Sequence, residues 1–317
     1  MKIARAGYGW MVVAALALAG CAPPEPPSTQ GKLQVVTTVG MIRDVVQNVG
    51  GAHVQAVGLM GPGVDPHLYK ASEGDVRRLF RADVVFYGGL HLEARMGEVL
   101  EEMGGRIRVV AVTDAIPRDL LLSPAEFEGA HDPHVWFDVR MWAMTVDTIA
   151  ATLAAADPAN AAAYRRNAAS YRARLDSADA YVRAQALRVP ADKRVLITAH
   201  DAFNYFGRAY GFQVRGLQGI STASEAGTAD VQALADFIAR RRIPAVFVES
   251  SIPRRTIEAV QEAVRSRGWD VQIGGSLYSD AMGNPGTPQG TYTGMVRHNI
   301  DTLVGALLRT PGGGTDG

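Results

Sequence analysis

In a chain that carries 34 glycines and 16 prolines, the segment from Ala159 to Leu187 contains neither. Alanine and arginine dominate it, both strong helix formers, and with the two breakers absent nothing interrupts a single long helix. Asp157-Pro158 opens the segment, with proline where a helix tolerates it. Tyr164, Tyr171, Leu175 and Tyr181 fall on one helical stripe. At about 1.5 Å per residue the helix is about 40 Å long, enough to run the height of a small molecule. It either joins two globular parts, bending far less than an extended linker would, or packs inside a single domain.

The sequence on the two sides of this helix follows one grammar. Before it, strands are expected at Leu33–Thr38, Val54–Leu59, Asp83–Tyr87 and Ile107–Val112, with helices at Ile42–Val49, Val76–Phe80 and Glu93–Met103. After it, strands are expected at Val195–Thr198, Phe212–Leu217, Ala245–Glu249 and Trp269–Ile273, with helices at Ala202–Tyr210, Asp230–Arg241 and Thr256–Arg267. Short β-branched runs alternating with amphipathic stretches are βαβ units, so the fold class is α/β, with mostly parallel sheets flanked by helices. An aromatic content of 7% and abundant Gly and Pro suit such layers better than a β-sandwich. Val35-Val36-Thr37-Thr38 and Leu196-Ile197-Thr198-Ala199 open the two series alike, a hint of two similar lobes. The expected division is an N-terminal lobe over 33–157, a bridging helix over 158–190, a C-terminal lobe over 191–311 and a flexible tail over 312–317.

The single cysteine excludes an intramolecular disulfide. Lys2 and Arg5 precede a short apolar run from Trp10 to Ala19, and Leu18-Ala19-Gly20-Cys21 places small residues before the cysteine. Residues 1–20 therefore read as a signal peptide, too short in its apolar core to span a bilayer. The tetrad resembles a bacterial lipobox, in which Cys21 is acylated and becomes the mature N-terminus; an ordinary secretory signal with an incidental cysteine is the alternative. Ala22-Pro23-Pro24-Glu25-Pro26-Pro27 then begins a Pro-rich tether over 21–32. The expected location is periplasmic or extracytoplasmic, membrane-anchored. With 32 Lys+Arg against 32 Asp+Glu there is no basic excess for a phosphate backbone, so no nucleic-acid partner is expected.

Seven histidines occur, and three stand at the ends of expected elements. His67 lies in the loop Asp65-Pro66-His67 after a strand. His134 lies in Asp132-Pro133-His134, just ahead of an apolar helix. His200 follows Val195–Thr198, at the carboxyl end of a strand, where open α/β sheets bind ligands. Asp280, in Ser279-Asp280-Ala281-Met282-Gly283, is the fourth candidate. Three imidazoles and a carboxylate suit a borderline divalent cation such as zinc. None of the gaps is a short zinc-finger spacing, so a shared site would be assembled by the fold. Solvated or packing roles remain open for each histidine taken singly.

Asp65-Pro66-His67, Asp132-Pro133-His134-Val135-Trp136, Thr198-Ala199-His200-Asp201-Ala202-Phe203, Val248-Glu249-Ser250-Ser251 and Ser279-Asp280-Ala281-Met282-Gly283 resemble, in this order, motifs of the solute-binding lipoproteins of zinc and manganese ABC importers. The resemblance covers essentially the whole chain after the tether and is closest to the treponemal three-His, one-Asp members. It implies two α/β lobes bridged by one long helix, with a single zinc or manganese ion as cargo in the cleft. It also implies His67, His134, His200 and Asp280 as ligands, an inner-membrane permease with its ATPase as partners, and a monomer. Manganese-specialised relatives carry glutamate in place of the third histidine, and zinc-specialised ones often insert a His-rich acidic loop before the second ligand. This chain keeps His200, and between Pro117 and Ala130 its acids are only Asp119, Glu126 and Glu128. Neither diagnostic mark is present; the Irving–Williams order favours zinc.

Glu249, at a strand end, either orients an imidazole or caps the next helix through Ser250 and Ser251. His131 is a spare ligand or a solvated loop residue. His53, His91 and His298 are expected at the surface or in packing, and Trp136 and Trp142 in the core. The chain is read as a carrier without catalytic residues. Two other classes compete. A zinc hydrolase would use Glu249 as general base and needs an open coordination position; an adhesin would need a binding surface that nothing in the sequence identifies.

Overall fold

A computed structural model of the chain describes residues 31–309 apart from 125, 126 and 128. The signal peptide, Cys21, most of the tether, the tail over 312–317, Glu126 and Glu128 lie outside the described residues. Within the described part, β-branched runs form short parallel strands and the stretches between them form helices, in a single compact unit.

The first series runs β1 (Leu33–Thr37), α1 (Gly40–Gly50), β2 (Val54–Gly58), α2 (Glu73–Phe80), β3 (Val84–Tyr87), α3 (Gly97–Gly104) and β4 (Arg108–Ala111). Its four strands form one sheet in the order β2-β1-β3-β4, all parallel, with Val35 opposite Val84 and Val84 opposite Arg108. The helix expected from Glu93 begins instead as a 3-10 turn over Ala94–Met96 and becomes α-helical only at Gly97. Just before it, Gly89, Leu90 and His91 all have positive φ. Three successive left-handed residues cannot belong to a right-handed helix.

Two helices follow, α4 (Val139–Ala156) and α5 (Ala161–Leu187). Asp138 caps α4, its Oδ1 accepting from the backbone N–H groups of Arg140 and Met141. The long segment without Gly or Pro is α5, entered through a 3-10 turn at Pro158–Asn160. Tyr164, Tyr171 and Leu175 are buried as its stripe requires, and the stripe continues through Ala178 to Val182 rather than to Tyr181, which is half-buried with its hydroxyl on Asp301. On one side Tyr171 donates to Asp44 Oδ2 at 2.6 Å and Asn167 to the carbonyl of Val49, both on α1.

The second series runs β5 (Val195–His200), α6 (Asn204–Tyr210), β6 (Gln213–Gln218), α7 (Thr228–Arg241), β7 (Ala245–Glu249), α8 (Arg255–Arg265), β8 (Gln272–Leu277) and α9 (Tyr292–Leu307). Here α5 is also engaged: Arg183 donates to the carbonyl of Ala209, and Tyr210 of α6 donates to Asp179 Oδ1 at 3.0 Å. The strands pair in parallel as β5–β6 and β7–β8, with β5 beside β7.

The last strand lies later than its apolar pattern suggests, at Gln272–Leu277 rather than Trp269–Ile273. Gly268, at φ 75°, turns the chain, and Trp269 spends its indole N–H on the carbonyl of Ile243. The strand includes Gly274 and Gly275 because α9 lies against it. A Cβ on Gly275 would stand 2.5 Å from Thr302 Cγ2, and one on Gly274 2.7 Å from Ala306 Cβ. That helix, for which the sequence suggested no element, joins β1, β3, α1, α4, α5 and α6 in the larger apolar core. A second core lies between the later strands and α7 and α8.

Candidate metal centre

Three loops and the end of one strand bring four side chains together. His67 lies between β2 and α2, His134 just ahead of the 3-10 turn Val135–Phe137 that leads into α4, and His200 is the last residue of β5. Asp280 follows β8. Each is at most 2% exposed, and one donor atom from each lies within 4.8 Å of the others. His67 Nε2 is 3.2 Å from His134 Nε2. His134 Nε2 is 3.5 Å from Asp280 Oδ1, and His200 Nε2 is 3.2 Å from Asp280 Oδ2. His67 Nε2 is 4.0 Å from Asp280 Oδ2. Donors at the corners of a tetrahedron around zinc, with bonds of about 2.0–2.1 Å, stand about 3.4 Å apart; three of these distances are close to that, and the one from His67 to Asp280 is longer.

Each imidazole is aimed by its surroundings. In both Asp-Pro-His turns the Asp Oδ1 accepts the His backbone N–H at 2.9 Å, a side-chain turn stiffened by the intervening proline. Asp132 Oδ1 also lies 2.8 Å from His134 Nδ1. Glu249 holds His200 in the same sense, with Oε1 accepting its backbone N–H at 2.8 Å and Oε2 2.6 Å from its Nδ1. Carboxylates on Nδ1 direct Nε2 of both rings at the cluster centre, the usual outer support of metal-binding histidines. Trp136 packs its ring edge-on to His134 and donates its indole N–H to the carbonyl of Ser279, fixing the backbone beside Asp280. His67 Nδ1 is buried and has no partner.

Burial and charge act against each other here. Burial pushes His67 down to about 3, so its ring is neutral at any physiological pH. For His200 burial works in the same direction, but Glu249 and Asp280 outweigh it and hold the imidazole well above its ordinary value. Burial would raise Asp280, yet His200, His134 and His67 together keep it below the usual carboxylate range. Four groups in a dry space, one firmly anionic and three imidazoles, are a set that could hold a metal ion.

The remaining sequence candidates stand apart. His131 is half-buried, with Nδ1 on Ser123 Oγ at 2.7 Å. His53 packs against Tyr164, His298 lies on α9 with Nε2 on the carbonyl of Ser276, and His91 is exposed. Trp142 is in the core against Tyr292. Glu249 turns to His200 rather than to the helix that follows it. Asp65 and Asp132, which hold the backbones of His67 and His134, had no role read from the sequence. Their signal was there in the repeated Asp-Pro-His.

Parallel strands flanked by helices, with three histidines and one aspartate buried at the strand ends, define an α/β metal-binding protein. Within that class the chain belongs to the family of zinc-uptake complex component A, periplasmic, whose model matches residues 35–306. It is 54% identical over 284 residues to the zinc-binding protein TroA of Treponema pallidum, across 89% of this chain and 91% of that protein. To the manganese-binding lipoprotein MntA of Bacillus subtilis it is 49% identical over 298 residues, across 94% and 97%. The solved structure of the periplasmic zinc-binding protein TroA from Treponema pallidum matches with a TM-score of 0.86 at 54% identity, over 88% of this chain and 100% of that one.

Proposed function

We propose that this chain is the solute-binding component of an ABC importer: it captures one Zn2+ or Mn2+ outside the cytoplasm and delivers it to a membrane permease driven by an ATPase. The observation that carries the reading is the convergence of His67, His134, His200 and Asp280 as buried donors within 4.8 Å of one another. These four are the proposed ligands. Both Asp280 oxygens face the cluster, so the carboxylate can bind through one oxygen for zinc or through two for a metal that prefers more oxygen ligands.

A hydrolytic zinc needs an open position for water and a free general base. Glu249 is committed through both oxygens to His200, and all four donors are shut away from solvent. Both facts favour a carrier over an enzyme. No helix among the described residues is long and apolar enough to cross a membrane. Anchoring is assigned to a lipid on Cys21, and the protein is taken to act as a monomer. In this reading α5 bridges an N-terminal lobe over 33–157 and a C-terminal lobe over 191–311, with cargo held between them.

The test is elemental analysis of protein purified from its native envelope without added metal, alongside His67→Ala and His200→Ala variants. One zinc or manganese per chain, lost in both variants, is expected. Full stoichiometry and affinity in both variants would place the site elsewhere. Ester or peptide turnover by the zinc form that vanishes in Glu249→Gln would overturn the carrier reading.

A further inference from the structure

The two Asp-Pro-His turns are built alike beyond the ligands themselves. In each, Oδ1 of the aspartate accepts the backbone N–H of the histidine two residues on, and Oδ2 reaches a side chain contributed by the second series of elements. Asp65 Oδ2 accepts from Thr222 Oγ1 at 2.6 Å, in the loop between β6 and α7. Asp132 Oδ2 accepts from Asn204 Nδ2 at 3.2 Å, at the start of α6. Each turn thus ties a ligand loop of the first series to an element of the second.

The two differ in one respect that decides which is the weaker hold. Asp132 also grips the ring of His134 at Nδ1, and Asn204 is anchored a second time on the carbonyl of Asp201. Asp65 grips only the backbone of His67, whose Nδ1 is buried without a partner. His200, for comparison, is held by Glu249 at its backbone N–H, and its Nδ1 lies 2.6 Å from the second Glu249 oxygen without hydrogen-bond alignment. Of the three imidazoles, His67 alone has no carboxylate beside its Nδ1. Its place depends on the Asp65 turn, and that turn on Thr222, a residue 6% exposed in a loop whose neighbours Ala223, Ser224 and Glu225 are exposed.

We propose that Asp65 and Thr222 form a clasp that holds the His67 loop closed over the metal, and that parting of this hydrogen bond frees His67 as the first ligand to leave. Asp65 and Thr222 are positioning residues: neither touches the metal, and both act through His67. The chemistry suits a release step. One hydroxyl-to-carboxylate bond is strong enough to slow opening and weak enough to be broken by a docking partner that offers Thr222 or Asp65 another mate. The second turn, doubly fixed at Asp132 and Asn204, stays with the rest of the shell. The inference rests on the proposed metal site.

The experiment compares wild type, Thr222→Val and Thr222→Ser, each loaded with one equivalent of Zn2+ or Mn2+. Release into excess chelator is followed by stopped flow, with stoichiometry and melting temperature measured on the same samples. Valine keeps the shape and removes the donor. The expected result is a release rate raised about tenfold or more in Thr222→Val, restored in Thr222→Ser, with one metal per chain still bound in all three. A Thr222→Val protein that melts as wild type and releases metal within about twofold of its rate would overturn the clasp while leaving the site intact. A lowered melting temperature with unchanged release would assign the bond to stability alone and also overturn it. Should Thr222→Val fail to fold, Thr222→Ala serves in its place, with the same readings. Failure of the wild type to bind one metal per chain would remove the site and the clasp together.

Discussion

The carboxylate of Glu249 meets His200 twice, at the backbone N–H through Oε1 and at the ring Nδ1 through Oε2, 2.8 and 2.6 Å away. A strand-end residue of β7 thereby fixes the position of a strand-end residue of β5 and places a carboxylate oxygen beside its ring. With Nδ1 so engaged, Nε2 is left to face Asp280 and the two other imidazoles.

Glu249→Gln should preserve the fold and the bond to the His200 backbone while weakening the hold on the ring. Loss of an outer carboxylate of this kind costs about 10–100-fold in metal affinity. Competitive titration against a chelator of known affinity measures it, and an unchanged constant would show that His200 needs no orienting.

Asp280→Asn removes the one anionic donor among the four. Zinc, well served by three imidazoles, should be retained better than manganese, which depends more on hard oxygen. Affinities of both metals for the variant decide the point; a protein that loses zinc and keeps manganese contradicts the role given to Asp280.

Acid should weaken binding, and the effect should begin above the range of an ordinary histidine. The imidazole of His200 lies between Glu249 and Asp280, with His67 and His134 on its inner side and Asp132 beyond them. The two flanking carboxylates raise it well above its usual value, so without metal it keeps its proton at neutral pH. His67, pushed down to about 3, holds none. Metal must displace the His200 proton, so affinity rises with pH up to the raised value and falls on acidification. Calorimetry in buffers of different ionisation enthalpy should detect about one proton released per metal near neutrality; none released would mean that His200 is already neutral.

Leu175 is fully buried on α5, and Leu175→Ala should cost about 2–5 kcal/mol of stability through the cavity it leaves. Denaturant unfolding measures the loss. Metal stoichiometry should be unaffected, because α5 contributes no donor.

The strands of the first series and the long helix were legible because local pattern decides them: β-branched runs, and a segment with neither glycine nor proline. The clustering of His67, His134, His200 and Asp280 was legible because each stands at or just beyond an element's end. The position of β8 was not, since Gly274 and Gly275 are poor strand formers, tolerated where Thr302 and Ala306 press close. Nor was Thr222 legible as a partner of Asp65, because only the folded chain brings their loops together.

The larger core draws on both ends of the described chain, from Val35 on β1 to Leu307 on α9. Its final wall is supplied by α9, the last of the described helices. Until residues 292–307 have emerged, the part of α5 and the glycine surface of β8 that α9 covers stand open. Such distant contacts make for slow folding. A growing chain therefore keeps these sticky faces open until α9 is made, a delay in keeping with the proposed role outside the cytoplasm.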